Sequence, residues 1–154
     1  MIFGSQTVSV ERVLPSPPEP IFDILANPAR HAEIDGSGTV QRARSAGRRL
    51  QLGDSFGMDM KMGVGYSTRN VVVELEENRR IAWRTLAAAP LDKFFTGRTW
   101  RYELEPVEGG TLVRETWDLS TERWPSRPVV RLMMSSTTRE NMARTLERLE
   151  QAVA

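Results

Sequence analysis

From residue 54 to residue 119 apolar and polar side chains alternate with a period of two, and from 129 to 153 the apolar ones recur at helical spacing. Successive residues of a strand point to opposite faces, so the alternating stretch predicts one antiparallel sheet with one wet face. In Ser55 to Met62, the residues Phe56, Met58, Met60 and Met62 alternate with Ser55, Gly57, Asp59 and Lys61. Val71, Val73 and Leu75 alternate with Asn70, Val72, Glu74 and Glu76, and Ile81, Trp83 and Thr85 alternate with Ala82, Arg84 and Leu86. The pattern repeats with Trp100, Tyr102 and Leu104, and again with Val113, Glu115, Trp117 and Leu119. The breaks at Gly63-Val64-Gly65, Glu77-Asn78-Arg79 and Glu108-Gly109-Gly110 are short enough for hairpins. Gly63-Val64-Gly65 lacks the phosphate-binding glycine pattern and opens no helix, so it reads as a turn.

The flanks supply the helices. Gln6 to Val13 reads as a strand, which the prolines from Pro15 to Pro20 break. Ser16 and Glu19 have capping-box spacing ahead of Ile21, Phe22, Ile24 and Leu25, the apolar face of a short helix. Asn27-Pro28 interrupts it, Ala29 to Ile34 forms a second helical stretch, and Gly36 and Gly38 end the region. At the other end Pro125 and Pro128 precede a long helix. Its stripe is Val130, Met133, Met134, Thr137, Asn141, Met142, Thr145, Leu146, Leu149 and Val153. One strand, two short helices, about six more strands and a long helix predict an α+β domain over 1–154, its curved sheet wrapped around the last helix.

Composition narrows the function. The 21 basic and 20 acidic residues leave a net charge of +1, too little for a dedicated nucleic-acid binder. The absence of cysteine rules out thiol nucleophiles, and a single histidine, His31, rules out a zinc site of the usual His/Cys type. No metal or cofactor is expected. No apolar run reaches the roughly 18 residues of a membrane span, and the N-terminus lacks a signal-peptide core, so a cytoplasmic protein is expected.

The order of elements resembles the helix-grip fold of the START/Bet v 1-like superfamily, and more closely the bacterial polyketide cyclase/dehydrase and lipid-transport family. Pro18-Glu19-Pro20-Ile21-Phe22-Asp23-Ile24-Leu25-Ala26-Asn27-Pro28 resembles the family's opening helix. Arg80-Ile81-Ala82-Trp83-Arg84 is similar to its central strand entry. Trp100-Arg101-Tyr102-Glu103-Leu104, with Gly110-Thr111 and Thr116-Trp117, resembles its last hairpin. The resemblance covers essentially the whole chain. It implies a deep cavity between sheet and C-terminal helix that holds an apolar small molecule, lipid-like or aromatic, and it implies no universal catalytic residue. Fold by itself does not choose among carrier, cyclase and receptor.

The candidate lining follows from strand parity: Phe56, Met58, Met60, Val71, Val73, Trp83, Trp100, Tyr102 and Trp117, with Met134, Thr137 and Asn141 from the helix. A filled core could use the same residues. Two features favour a cavity: aromatics and methionines stand where tight cores prefer Leu, Ile and Val, and the helix stripe turns polar in its middle. Glu115 and Arg69 also fall on the apolar parity of their strands. Either a bulge turns them to solvent, or they form a polar pair in the pocket. With Tyr102 they are the candidates for moving protons, should the protein be a cyclase or dehydratase rather than a carrier.

Other motifs carry less. His31, with no second imidazole or nucleophile elbow nearby in sequence, reads as a surface helix residue. Arg42, Arg44, Arg48 and Arg49 read as a solvated hairpin, or as the binding face of an interaction module. Leu91, Phe94 and Phe95 suit a cavity mouth, a homodimer contact or a loop anchor.

Overall fold

The alternating stretch folds into β3 (Ser55–Met62), β4 (Val64–Glu76), β5 (Arg80–Ala87), β6 (Arg98–Val107) and β7 (Gly110–Asp118), which join β1 (Thr7–Leu14) and β2 (Val40–Ala43) in one seven-stranded antiparallel sheet of order β1-β7-β6-β5-β4-β3-β2. The computed structural model describes residues 7–35, 40–43, 49–62, 64–87, 97–120 and 126–154. Strand β1 (Thr7–Leu14) is followed by α1 (Pro18–Leu25), a 3-10 turn (Pro28–Arg30) and α2 (His31–Ile34). Then come β2 (Val40–Ala43), β3 (Ser55–Met62), β4 (Val64–Glu76), β5 (Arg80–Ala87), β6 (Arg98–Val107), β7 (Gly110–Asp118) and α3 (Ser126–Val153). The helix-grip architecture expected from the sequence is present, with two short helices after the first strand and a long helix at the C-terminus. Val64 and Gly65, read as part of a turn, instead begin β4, and Val64 pairs with Met62.

The capping box does not form. Pro17 takes the N-cap position of α1, and the Ser16 hydroxyl donates to the Pro17 carbonyl at 3.0 Å. Proline in the first turn serves instead, since its missing N–H would have no helical partner there. Asn27 caps the following turn, its Oδ1 accepting from the Ala29 N–H at 3.1 Å. Ile21, Phe22, Ile24 and Leu25 are all buried, and they join one core with Trp83, Tyr102, Leu146 and Leu149. A second cluster joins Trp117 and Leu119 to Met142 of α3. Gly110 is required where β7 leaves its turn, because a Cβ there would lie 1.9 Å from the Leu14 carbonyl oxygen.

Strand β4 departs from simple alternation. Val72 pairs with Trp83 but Glu74 pairs with Ala82, so Val73 is an extra residue, a β-bulge. Before the bulge Thr68, Asn70 and Val72 are buried; after it Leu75 packs on the core. The bulge reverses the parity counted back from Leu75. Arg69 and Val73 are therefore exposed, Val73 by 44%, and Val71 is half-buried on the same outer side.

The outer face carries ion pairs across the strands. Arg114 meets Glu11 at 2.9 Å and Arg80 meets Glu103 at 3.4 Å. Arg101, only 22% exposed, reaches Glu74 at 2.6 Å and Asp118 at 3.6 Å. Its hydrogen bonds hold the Glu74 carboxyl below the usual carboxylate range. A half-buried branched pair contributes more than a solvated one, so Arg101→Ala is expected to cost about 1–2 kcal/mol, while Arg30→Ala, which breaks an exposed pair, should cost under about 0.5 kcal/mol. Urea midpoints of the two variants check this, and equal losses would contradict it.

Candidate functional site

Glu115 sits in the middle of β7, between Val10 of β1 and Tyr102 of β6 in the register. Its neighbours Val113 and Trp117 are buried on the same face, and that parity carries its side chain inward, where it is 2% exposed. The Tyr102 hydroxyl donates to Glu115 Oε1 at 2.8 Å. Glu115 Oε2 is buried with no hydrogen-bond partner among the described residues. Burial disfavours the charged form and pushes the carboxyl up to about 8, against the lowering effect of the Tyr102 hydrogen bond and with a further push from the negative charge of Asp35. Burial, and then Glu115, raise the Tyr102 phenol well above its ordinary value.

An aromatic cluster adjoins the pair. Trp83 of β5 lies 5.6 Å from Tyr102 between ring centroids and 5.7 Å from Phe56, which stands edge-on. On Trp83 stacks His31, 4.9 Å away with an angle of 19° between planes. His31 is thus not a surface residue: it is 6% exposed, and its Nε2–H donates to the Leu25 carbonyl at 2.8 Å. Burial lowers the imidazole to about 4, so the ring is neutral at physiological pH. The signal that could have found it is Ile34, three residues on and therefore on the same face of the short helix.

Trp83, Trp100 and Trp117 stand directly opposite one another across β5, β6 and β7. Trp83 and Trp117 are buried and Trp100 is half-buried, 6.1 Å from Trp117. Trp117 Nε1 is a second buried polar atom without a partner among the described residues. Phe56 and Met58 are buried on the inner face of β3. Beside them runs a polar row that parity counting missed because of the bulge. Thr85 Oγ1 donates to Asn70 Oδ1 at 2.7 Å, and Asn70 Nδ2 donates to Thr68 Oγ1 and to the Phe56 carbonyl, both at 3.3 Å.

Several expected residues lie elsewhere. Arg69 is exposed on the outer side of β4, so the inward partner of Glu115 is Tyr102 and not an arginine. Val71 and Val73 share that outer side. On α3, Thr137 is exposed and Asn141 half-buried, while Thr138, Met142, Thr145, Leu146 and Leu149 are buried. Met142, Thr145, Leu146 and Leu149 lie inward as expected, while Thr138 is buried in place of Thr137 and Asn141 stays at the margin. Thr145 donates to the Asn141 carbonyl at 3.0 Å within its own helix, so its burial does not require a wet surrounding. The side chains of Met60 and Met134 lie outside the described residues, as do Arg44, Arg48, Leu91, Phe94 and Phe95. Arg49 is exposed, pairs with Asp23 at 2.6 Å and also with Glu77, and lies over the Phe22 ring.

Chemically, the pair offers a carboxyl that is protonated at neutral pH, able to donate from Oε2 while Tyr102 holds Oε1. A group that titrates near the working pH can also give and take protons in turn. No helix among the described residues is long and apolar enough to cross a membrane.

Comparison with known proteins gives the family and the fold. The family profile described as polyketide cyclase / dehydrase and lipid transport matches residues 5–154. The uncharacterized protein Rv0088 of Mycobacterium tuberculosis is 34% identical over 117 residues, covering 75% of this chain and 48% of its own length. The chain spans about half the length of the curated relatives it matches. Among solved structures, protein MLL2253 of Mesorhizobium loti superposes with a TM-score of 0.70 at 20% identity, covering 95% of both chains. The di-domain ARO/CYC StfQ from the steffimycin biosynthetic pathway superposes with a TM-score of 0.65 at 17% identity, covering 96% of this chain and 50% of its own.

Proposed function

The chain belongs to the polyketide cyclase / dehydrase and lipid transport family, and on that premise we propose that it binds an apolar, lipid-like or aromatic small molecule between the inner face of its sheet and α3. One observation carries the reading: a buried carboxyl, held by Tyr102 on one oxygen and without a partner on the other among the described residues, shares the inner face of the sheet with Trp83, Trp100, Phe56 and Met58. Ligand sites are mostly apolar with a few convergent polar groups. The same residues define the test. N-phenyl-1-naphthylamine should bind the native protein saturably and quench tryptophan emission, and Trp83→Phe should reduce the quenching. Binding only after partial denaturation would overturn the proposal.

The Glu115–Tyr102 pair also favours a second reading, in which the bound molecule reacts. Glu115 would give its proton to a carbonyl oxygen under attack by an enol carbon of the same chain. As the new carbon–carbon bond forms, the enol hydroxyl proton would return to the carboxylate, which restores the carboxyl and balances the step. Holding both ends of such a chain in one site supplies the proximity. Under this reading Glu115→Gln abolishes turnover of a poly-β-keto substrate and leaves its affinity within about threefold, since the isostere keeps the packing. Turnover retained by that variant would remove Glu115 from the chemistry.

A further inference from the structure

Two polar atoms on β7 stand out among the described residues. Glu115 Oε2 and Trp117 Nε1 are both buried, both lack a hydrogen-bond partner among the described residues, and both belong to inward-facing side chains two residues apart. That spacing is about 7 Å along a strand. Buried polar groups in folded proteins are nearly always satisfied, so two on one face of one strand call for a common explanation. The indole N–H can only donate. Its apolar neighbours Val8, Val10, Trp100, Leu119 and Met142 offer it no strong side-chain acceptor. Glu115 keeps Oε1 for the Tyr102 hydroxyl, which leaves Oε2 to carry the proton and donate as well.

We propose that Glu115 Oε2 and the Trp117 indole N–H form one polar subsite that takes an uncharged oxygen-bearing edge of the ligand, such as a ketone, and turns away a carboxylate. The inference rests on the apolar site proposed above and goes on to the chemistry of its occupant. Two donors on one face of one strand would match the lone pairs of a carbonyl placed against that face. A carboxylate would supply lone pairs too, but it would have to leave water. Among the described residues the titratable groups that act on Glu115 are Tyr102 from β6 and Asp35 from the end of α2, and neither is a cation that could compensate it. A fatty acid would therefore enter such a site poorly, whereas a ketone of similar size would fit it.

Three probes of one shape separate the possibilities: naphthalene, 2-acetylnaphthalene and 2-naphthoate, titrated against the native protein by tryptophan quenching. Acetylnaphthalene should bind about 3–10-fold more tightly than naphthalene, the worth of one net hydrogen bond. The naphthoate should bind at least about 10-fold more weakly than the ketone, the ordinary result of desolvating an uncompensated charge. In Trp117→Phe, and again in Glu115→Met, the ketone advantage should shrink toward unity while naphthalene binding holds. Raising the pH to about 9.5 should ionise Glu115 and reduce the advantage in the natural protein, but not in Glu115→Gln, whose amide still donates. Equal ketone-to-hydrocarbon ratios in all the proteins, or a naphthoate as tight as the ketone, would overturn the subsite. If naphthalene itself fails to bind, the apolar site falls and the subsite with it, so the hydrocarbon control tells the two failures apart.

Discussion

Glu115→Gln is expected to stabilise the protein by roughly 3 kcal/mol at pH 7 and to leave its stability nearly unchanged at pH 4, given a folded carboxyl pushed up to about 8. The folded-state value lies above the ordinary 4.5, so between the two the folded chain holds a proton that the unfolded chain has released. Stability from this group is fully present below about pH 4.5 and is lost as pH rises toward 8. Glutamine carries no such proton, and it can accept from Tyr102 as the carboxyl does. His31 works in the opposite sense. Its folded value of about 4 lies below the ordinary 6.5, so its contribution is present above pH 6.5 and is lost as pH falls toward 4. The two slopes oppose each other between about 4.5 and 6.5, where together they should give a plateau. Above it the natural protein should weaken, and Glu115→Gln should not. Urea unfolding of both proteins from about pH 4 to pH 9 reads this directly. Parallel curves would mean that Glu115 ionises in the folded state near its ordinary value.

Trp83→Ala is expected to cost about 3–5 kcal/mol, the usual result of removing a large buried aromatic side chain. Trp83 contacts His31, Phe56 and Tyr102 at centroid distances of 4.9, 5.7 and 5.6 Å, so three rings lose a packing surface at once. The loss should also reach His31. Its low value comes first from burial, and opening the space beside it to water should move the imidazole back up toward 6.5. Trp83→Phe keeps part of the surface and should cost about half as much. Denaturant midpoints measure the first effect, and the His31 ring signals followed by NMR over pH measure the second. A loss under about 1 kcal/mol would show that the cluster relaxes around the gap. An unmoved imidazole would show that water stays out.

Parity along β5, β6 and β7 carried Trp83, Trp100, Tyr102, Glu115 and Trp117 to one face, because those strands pair without a break. The same counting misplaced Arg69, Val71 and Val73, because one extra residue in β4 inverts every side chain beyond it. Nothing in the valine run marks which valine is extra; the pairing with β5 chooses Val73. On α3 the period and the phase at Met142, Thr145, Leu146 and Leu149 are legible, but Thr137 and Thr138 suit a helix equally and the packing selects Thr138. His31 reads as a surface residue in sequence because a helix of four residues offers one same-face neighbour, Ile34, and no longer period.

The sequence by itself determined the class of fold, the order of its elements and the parity that makes Glu115 an inward candidate, because period and punctuation are local properties of a chain. Partnership was decided only by the tertiary structure. Tyr102 meets Glu115 because β6 and β7 pair in one register, and His31 meets Trp83 because the fold brings the first residue of α2 over a ring of β5, contacts between residues 13 and 52 positions apart. The same packing removes water from both ionisable groups and so sets their charge, since the cost of ionisation depends on what surrounds a group and not on its neighbours in sequence.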